Sequence, residues 1–259
     1  MAVISSFAAL GDSFTEGVGD PQPDGRGWRG WADRFASIAA RQVPEFRYAN
    51  LAIRGKLLGQ IAASQVPAAA AMRPDLVSIA AGGNDLLRPR ADPDELAAVL
   101  DAAVGELAAA GSQVLVFTGF DPRPFPVVRM IRGKAAAFNA RIRQIAARRG
   151  LLLADLWVMG VLADPREWCD DRLHLGPDGH RRVALRAAEV AGLPAGADWR
   201  EPLPPRPALA GPAAAAWLAA RRGDVQWARE HATPWVSRRL RGVSSGDGLS
   251  AKRPQLGPL

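Results

Sequence analysis

The sequence predicts an α/β fold: a three-layer α/β/α sandwich around a parallel sheet of about five strands. Two observations carry that prediction. Short apolar runs alternate with helical patterns through residues 1–192, which is the rhythm of βαβ units joined by right-handed crossovers. Polar and glycine residues gather just after those runs, at the rim where an open parallel sheet binds its ligands.

The apolar runs are VISSFAAL (3–10), FRYANLA (46–52), DLVSIAA (75–81), QVLVFTG (113–119) and LLLADL (151–156). Helical patterns fall between them at 28–41, 57–72, 92–110 and 127–149, and a last one lies at 177–191. Asp92 reads as an N-cap with Pro93 at the first helical position, and Pro177 marks another start. Gly111 and Gly150 stand where helices stop. From about residue 193 the text changes. LPAGADWREPLPPRPALAGP is a Pro- and Gly-rich linker. A short helical segment is expected over 212–241, with Trp217, Trp227 and Trp235, before an irregular end over 242–259. The division expected is therefore a catalytic domain over 1–192 and an appendage over 193–259.

With 48% hydrophobic residues, the chain can build a sizeable core. A single cysteine, Cys169, excludes an internal disulfide framework. No apolar stretch approaches the roughly 18 residues of a membrane span. The N-terminal apolar run lacks a basic leader and runs into a motif, so it reads as a strand; a cytoplasmic location is expected. Nine Lys and Arg against four Asp and Glu in 201–259 give that tail five of the seven net positive charges. The charge does not concentrate on a working face, so no nucleic-acid partner is expected; a solvated or self-docking tail is.

The residues just beyond each apolar run carry the functional signal. After the first run come Gly11-Asp12-Ser13, after the second Asn50 and Gly55, after the third Gly82-Gly83-Asn84-Asp85, and after the fourth Asp121. Well after the fifth comes CDDRLHLGPDGH. A nucleophilic serine needs a base in reach, and the base needs an acceptor to hold its tautomer. Of the three histidines, His174, His180 and His231, His174 alone has an acid three positions before it, Asp171. Asp170 competes for that orienting role at a spacing of four.

GDSFTEG, then Asn50 and Gly55, then GGND, then DRLH, in that order, resemble the four blocks of SGNH hydrolases, the GDSL esterases and lipases. The resemblance spans residues 1 to about 192. It implies a flavodoxin-like sheet and hydrolysis of small or medium acyl esters through an acyl-serine. Carried over by position, Ser13 is the nucleophile, His174 the base and Asp171 its orienting acid. The Ser13 and Gly55 N–H groups and the Asn84 amide form the oxyanion hole. The implied partner is a small-molecule ester, with no cofactor and no metal. An acyltransferase using the same site, and a binding protein recruiting an acidic partner through the basic tail, stay open as alternatives.

Several residues have quieter readings. Ser13 alone would be a turn serine, Asn84 a helix cap, and His180 a structural or solvated histidine. Trp28 and Trp31 belong to the core or to a substrate groove, and FDPRPFP (120–126) is a second candidate wall. Cys169, His174 and His180 match no compact metal-ligand spacing. GVSSG (242–246) fits the G-x-S-x-G elbow but lacks the strand before it and the histidine after it. All five site candidates precede residue 200, so the tail is expected to serve stability rather than chemistry.

Overall fold

The computed structural model describes residues 3–125, 128–205 and 244–259. The helix expected over 212–241, its three tryptophans and His231 lie outside those residues. Six strands form one sheet: β1 (Ser6–Gly11), β2 (Arg47–Asn50), β3 (Leu76–Ala80), β4 (Gln113–Phe117), β5 (Leu152–Ala154) and β6 (Arg253–Pro258), in the order β5-β4-β3-β1-β2-β6. The first five run parallel and keep the flavodoxin-like order.

The sixth strand differs from the irregular end expected of this stretch. Arg253–Pro258 pairs antiparallel with β2, Arg47 opposite Pro258 and Asn50 opposite Arg253, with an irregularity between Tyr48 and Asn50. Its two prolines suit an outer edge, where a missing donor costs no ladder bond.

The helices with full turns are α2 (Gly30–Ala40), α3 (Leu58–Met72), α5 (Pro93–Ala109), α6 (Arg132–Arg149) and α7 (Pro177–Val190); α1 (Ser13–Glu16) and α4 (Gly83–Leu86) are single turns. Strand residues alternate between two buried layers. Phe7, Ala9, Leu115 and Phe117 face α2 and α7. Ala8, Leu10, Val114 and Val116 face α3, α5 and α6. Asp92 caps α5 by accepting the Asp94 N–H at 2.8 Å, and Gly150 ends α6 in the left-handed conformation. The sheet thus puts the ends of β1 and β3 side by side where the strand order reverses. An open α/β sheet has its ligand crevice at that point.

Candidate active site

Ser13 lies two positions beyond the last residue of β1, and several groups hold it there. The Gly11 N–H donates to Gln65 Oε1 at 2.8 Å, and Gln65 Nε2 donates back to the Gly11 carbonyl at 3.0 Å. A buried carboxamide therefore stands in for the next ladder strand at the point where the chain leaves the sheet. Asn139 does the same for Gly119 beyond β4, with bonds of 2.8 and 2.9 Å. Asp12 then caps α1 by accepting the Phe14 N–H at 3.1 Å, and Ser13 opens the turn. Burial pushes the Asp12 carboxyl up to about 6, against the Phe14 N–H and the nearby His174.

The loop after β2 brings in Gly55. Glu16 accepts the Arg54 N–H at 2.7 Å and pairs with the Arg54 guanidinium, which fixes the residue before Gly55. Gly55 has φ of 75°, a backbone state disfavoured for residues with a Cβ. Among the described residues, neither the Ser13 nor the Gly55 backbone N–H has a protein acceptor. After β3 comes Asn84. Its Nδ2 donates to Asp12 Oδ2 and to the Lys56 carbonyl, both at 3.1 Å. That amide ties the first, second and third blocks together. Asn50, by contrast, points away from this chemistry: it donates to the Thr15 carbonyl and to Tyr48 Oη.

His174 comes from the connection between β5 and α7. Trp168 and Leu175 form an antiparallel bridge, and the Cys169 N–H donates to the His174 carbonyl at 2.9 Å. The chain between them turns at Arg172, with φ of 54°, so Asp171 folds back on His174. Asp171 Oδ2 lies 2.5 Å from His174 Nδ1, and Oδ1 accepts the Leu173 and His174 N–H groups at 2.9 and 3.0 Å. Burial would raise the Asp171 carboxyl, but the hydrogen bond and charge of His174 and those two amides outweigh it and bring it to about 2. The carboxylate against His174 Nδ1 is that of Asp171, three positions before it. The loop is held from beneath by a buried pair, Arg182 Nε to Glu167 Oε1 at 2.8 Å. Gly19 lets it dock, since a Cβ there would come within 2.2 Å of the Leu175 carbonyl oxygen.

These loops enclose one cavity of about 460 Å³, lined by Ser13, Gly55, Asn84 and His174. Much of its lining is apolar, with Leu86, Phe117, Phe120, Val128, Leu156 and Trp168 among it. Phe120 and Pro122, from the loop after β4, line the same cavity. Trp31 is fully buried in the core, and Trp28 lies under Arg54 at 5.9 Å rather than in the cavity. His180 is fully buried, accepts the Trp31 N–H at Nδ1 and donates from Nε2 to the Val18 carbonyl. Burial depresses it to about 4. Among the described residues no cluster of His, Cys, Asp or Glu could hold a metal.

Two features go beyond what the sequence signals. Gln65 and Asn139 brace the strand ends, yet one carboxamide in an amphipathic helix carries no signal of its own. Ser244 and Ser245, which fail the requirements of a nucleophile elbow, line the cavity all the same, so the tail does reach the site.

Residues 9–182 match the model of the GDSL-like Lipase/Acylhydrolase family. Among curated protein sequences none matches. Similar solved structures include Axe2, an acetylxylan esterase from Geobacillus stearothermophilus, with 22% identity, coverage of 78% of this chain and 99% of that one, and a TM-score of 0.61. LAE5, an α/β hydrolase enzyme from the metagenome of Lake Arreo, Spain, has 21% identity, coverage of 74% and 97%, and a TM-score of 0.61. The psychrotrophic esterase EstA from Pseudoalteromonas sp. has 18% identity, coverage of 73% and 97%, and a TM-score of 0.58. At these identities the likeness is one of fold.

Proposed function

Since the chain belongs to the GDSL-like lipase/acylhydrolase family, and is a carboxylic ester hydrolase, we propose that Ser13, His174 and Asp171 carry its chemistry. The observation behind this reading is the 2.5 Å contact from Asp171 to His174 Nδ1, in a cavity that Ser13 also lines. A carboxylate at that distance keeps the proton on Nδ1 and leaves the Nε2 lone pair as the base. Ser13 Oγ attacks the ester carbonyl while Nε2 takes its proton. The imidazolium then gives that proton to the departing alkoxide, and an acyl-serine remains. Water then attacks the acyl carbonyl while Nε2 takes its proton, and the imidazolium returns that proton to Ser13 Oγ as the acyl–oxygen bond breaks, releasing the acid and restoring Ser13.

The oxyanion of each tetrahedral intermediate is met by the Ser13 and Gly55 N–H groups, which have no protein acceptor among the described residues to compete for them. Asn84 is the third donor. It shares an amide hydrogen already directed at Asp12 or Lys56, so its role joins donation to holding the blocks in register. One such donor is typically worth about 10²–10³ in rate.

The cavity lies within the size range of small-ligand sites, roughly 300–1,000 Å³. Its largely apolar lining favours a small or medium acyl group without charge. A panel of p-nitrophenyl esters from acetate to decanoate tests this reading. Turnover should require Ser13 and peak at short to medium chains; equal turnover by folded Ser13→Ala would overturn it.

A further inference from the structure

The G-x-S-x-G stretch near the C-terminus fails as an elbow but returns to the site in another part. Ser244 and Ser245 line the cavity on the side of Gly55. The contact there is close: a Cβ built on Gly55 would fall 2.1 Å from Ser244 Oγ. One built on Gly246 would fall 2.0 Å from the Arg54 carbonyl oxygen and 3.0 Å from Ile53 Cγ2. The tail turn and the loop over 53–55 therefore pack backbone against backbone.

The turn is hydrogen-bonded within itself. The Ser244 N–H donates to Asp247 Oδ2 at 2.7 Å, and the Gly246 N–H donates to Ser244 Oγ at 3.2 Å. The Leu249 N–H donates to the Gly246 carbonyl at 3.1 Å. It is also anchored from behind. Lys252 Nζ donates to the carbonyls of Glu16 and Arg29, each at 2.8 Å, and of Trp28 at 3.1 Å, and it lies 2.9 Å from Asp33 Oδ1. Directly after it, β6 zips onto β2. An ammonium with three donors fits a nest of backbone carbonyls and one carboxylate. Glu16, whose carbonyl Lys252 holds, is the residue whose side chain holds Arg54.

We infer that the C-terminal segment from Ser244 is part of the active site: the turn over 244–246 clamps Gly55 in position and forms one wall of the cavity, with Lys252 and β6 as its anchor. This rests on the reading of Gly55 as an oxyanion donor. Ser244 and Gly246 are positioning residues that act through the Gly55 N–H. The loop over 53–55 is gripped between Glu16 on one side and the tail on the other, so the donor needs no reorganisation as charge develops.

Gly246→Ala is the test, with Gly160→Ala as its control, since a Cβ at Gly160 meets nothing within 4 Å and Gly160 lies outside both the cavity lining and the C-terminal segment. The added methyl at 246 must push the Arg54 carbonyl or the tail away. Expected for Gly246→Ala is a fall in kcat of at least about tenfold with KM changed less than about threefold, the signature of a lost transition-state contact. Hydrogen exchange at the amides of 53–56 should rise as well. The control should match wild type in both. A folded Gly246→Ala protein with wild-type kcat would overturn the inference, as would unchanged exchange at 53–56. If Gly246→Ala does not fold, Ser244→Leu, which crowds Gly55 from the cavity side, is read the same way. The exchange arm also separates the two claims. If wild type turns over no ester, the ester reading falls, while protection at 53–56 that drops in Gly246→Ala and not in Gly160→Ala still upholds the clamp.

Discussion

Asp171 Oδ2 lies 2.5 Å from His174 Nδ1, and the same carboxylate accepts the backbone N–H of His174 at 3.0 Å. One acid thus fixes both the ring and the backbone of the histidine three residues on. The pair forms because the chain reverses at Arg172 and because Gly19 lets the reversed loop settle against the turn that carries Ser13.

Asp171→Asn tests that pairing. The amide keeps the shape, but its Nδ2 presents a donor where the ring needs an acceptor, which favours the tautomer with Nε2 protonated. We expect kcat to fall by about 10³–10⁴. In wild type the Asp171 carboxyl sits near 2, below its ordinary value. Its stabilising contribution is complete above about pH 4 and is lost as pH falls through 2. A pH–rate profile should therefore show no acid limb from Asp171 above pH 4.

His180 carries a pH-dependent part of the stability. Its Nδ1 accepts from Trp31 and its Nε2 donates to Val18, so the fold holds it neutral and depresses it from 6.5 to about 4. Between those values the unfolded chain binds the extra proton. Its contribution is present above pH 6.5 and shrinks by about 3 kcal/mol as pH falls to 4. His180→Gln offers one acceptor and one donor in the same pocket and cannot titrate. Chemical denaturation of the two proteins across pH 4–7 should show the wild-type advantage disappearing toward acid; a gap independent of pH would contradict the assignment. Asp12, raised to about 6 by burial, acts with the opposite sign and flattens the wild-type curve itself.

Gln65→Leu removes the partner of the Gly11 N–H. The Gly11 carbonyl keeps the Ile53 N–H at 3.3 Å, so one buried donor is orphaned. The expected cost is about 2 kcal/mol in urea unfolding. A larger fractional loss in kcat than in KM should accompany it, because Gly11 carries the chain into Asp12 and Ser13. Unchanged stability would show that the carboxamide does not brace the strand end.

Cys169 should react slowly. Burial, with Asp171, Asp170 and Asp20 nearby, pushes its thiol from 9.0 to about 11, and Sγ lies 3.4 Å from the Gly19 and Leu175 carbonyls. At pH 8 that leaves about a hundredfold less thiolate than an ordinary cysteine has. Ellman's reagent should label the unfolded chain promptly and the native chain at least about a hundredfold more slowly; fast labelling of the native protein would refute the shielding.

The five parallel strands are legible because each is an apolar run between helical patterns, and burial on both faces demands such runs. The sixth is not. RPQLGP has two prolines, a glycine and an arginine, and it becomes a strand because β2 offers an open edge and Lys252 fastens the chain beside it. The candidates Asp171 and His174 stand out because the chain has three histidines and only His174 has an acid three positions before it, and Ser13 stands out through the order of the four motif blocks. Gln65 and Asn139 are not, since their role exists only once a strand end lies opposite. Ser244 stands 189 positions from Gly55 in the chain, and no local pattern reports a contact made across that distance.

On the proposed mechanism, Ser13 is the residue that takes the acyl group. A fluorophosphonate reagent added to the full chain, with digestion and mass mapping of the product, tests it most directly. One phosphonyl adduct is expected, on the peptide at Ser13, absent from Ser13→Ala and formed far more slowly in His174→Ala. An adduct on Ser244 or Ser245, or equal labelling of the Ser13→Ala protein, would contradict it.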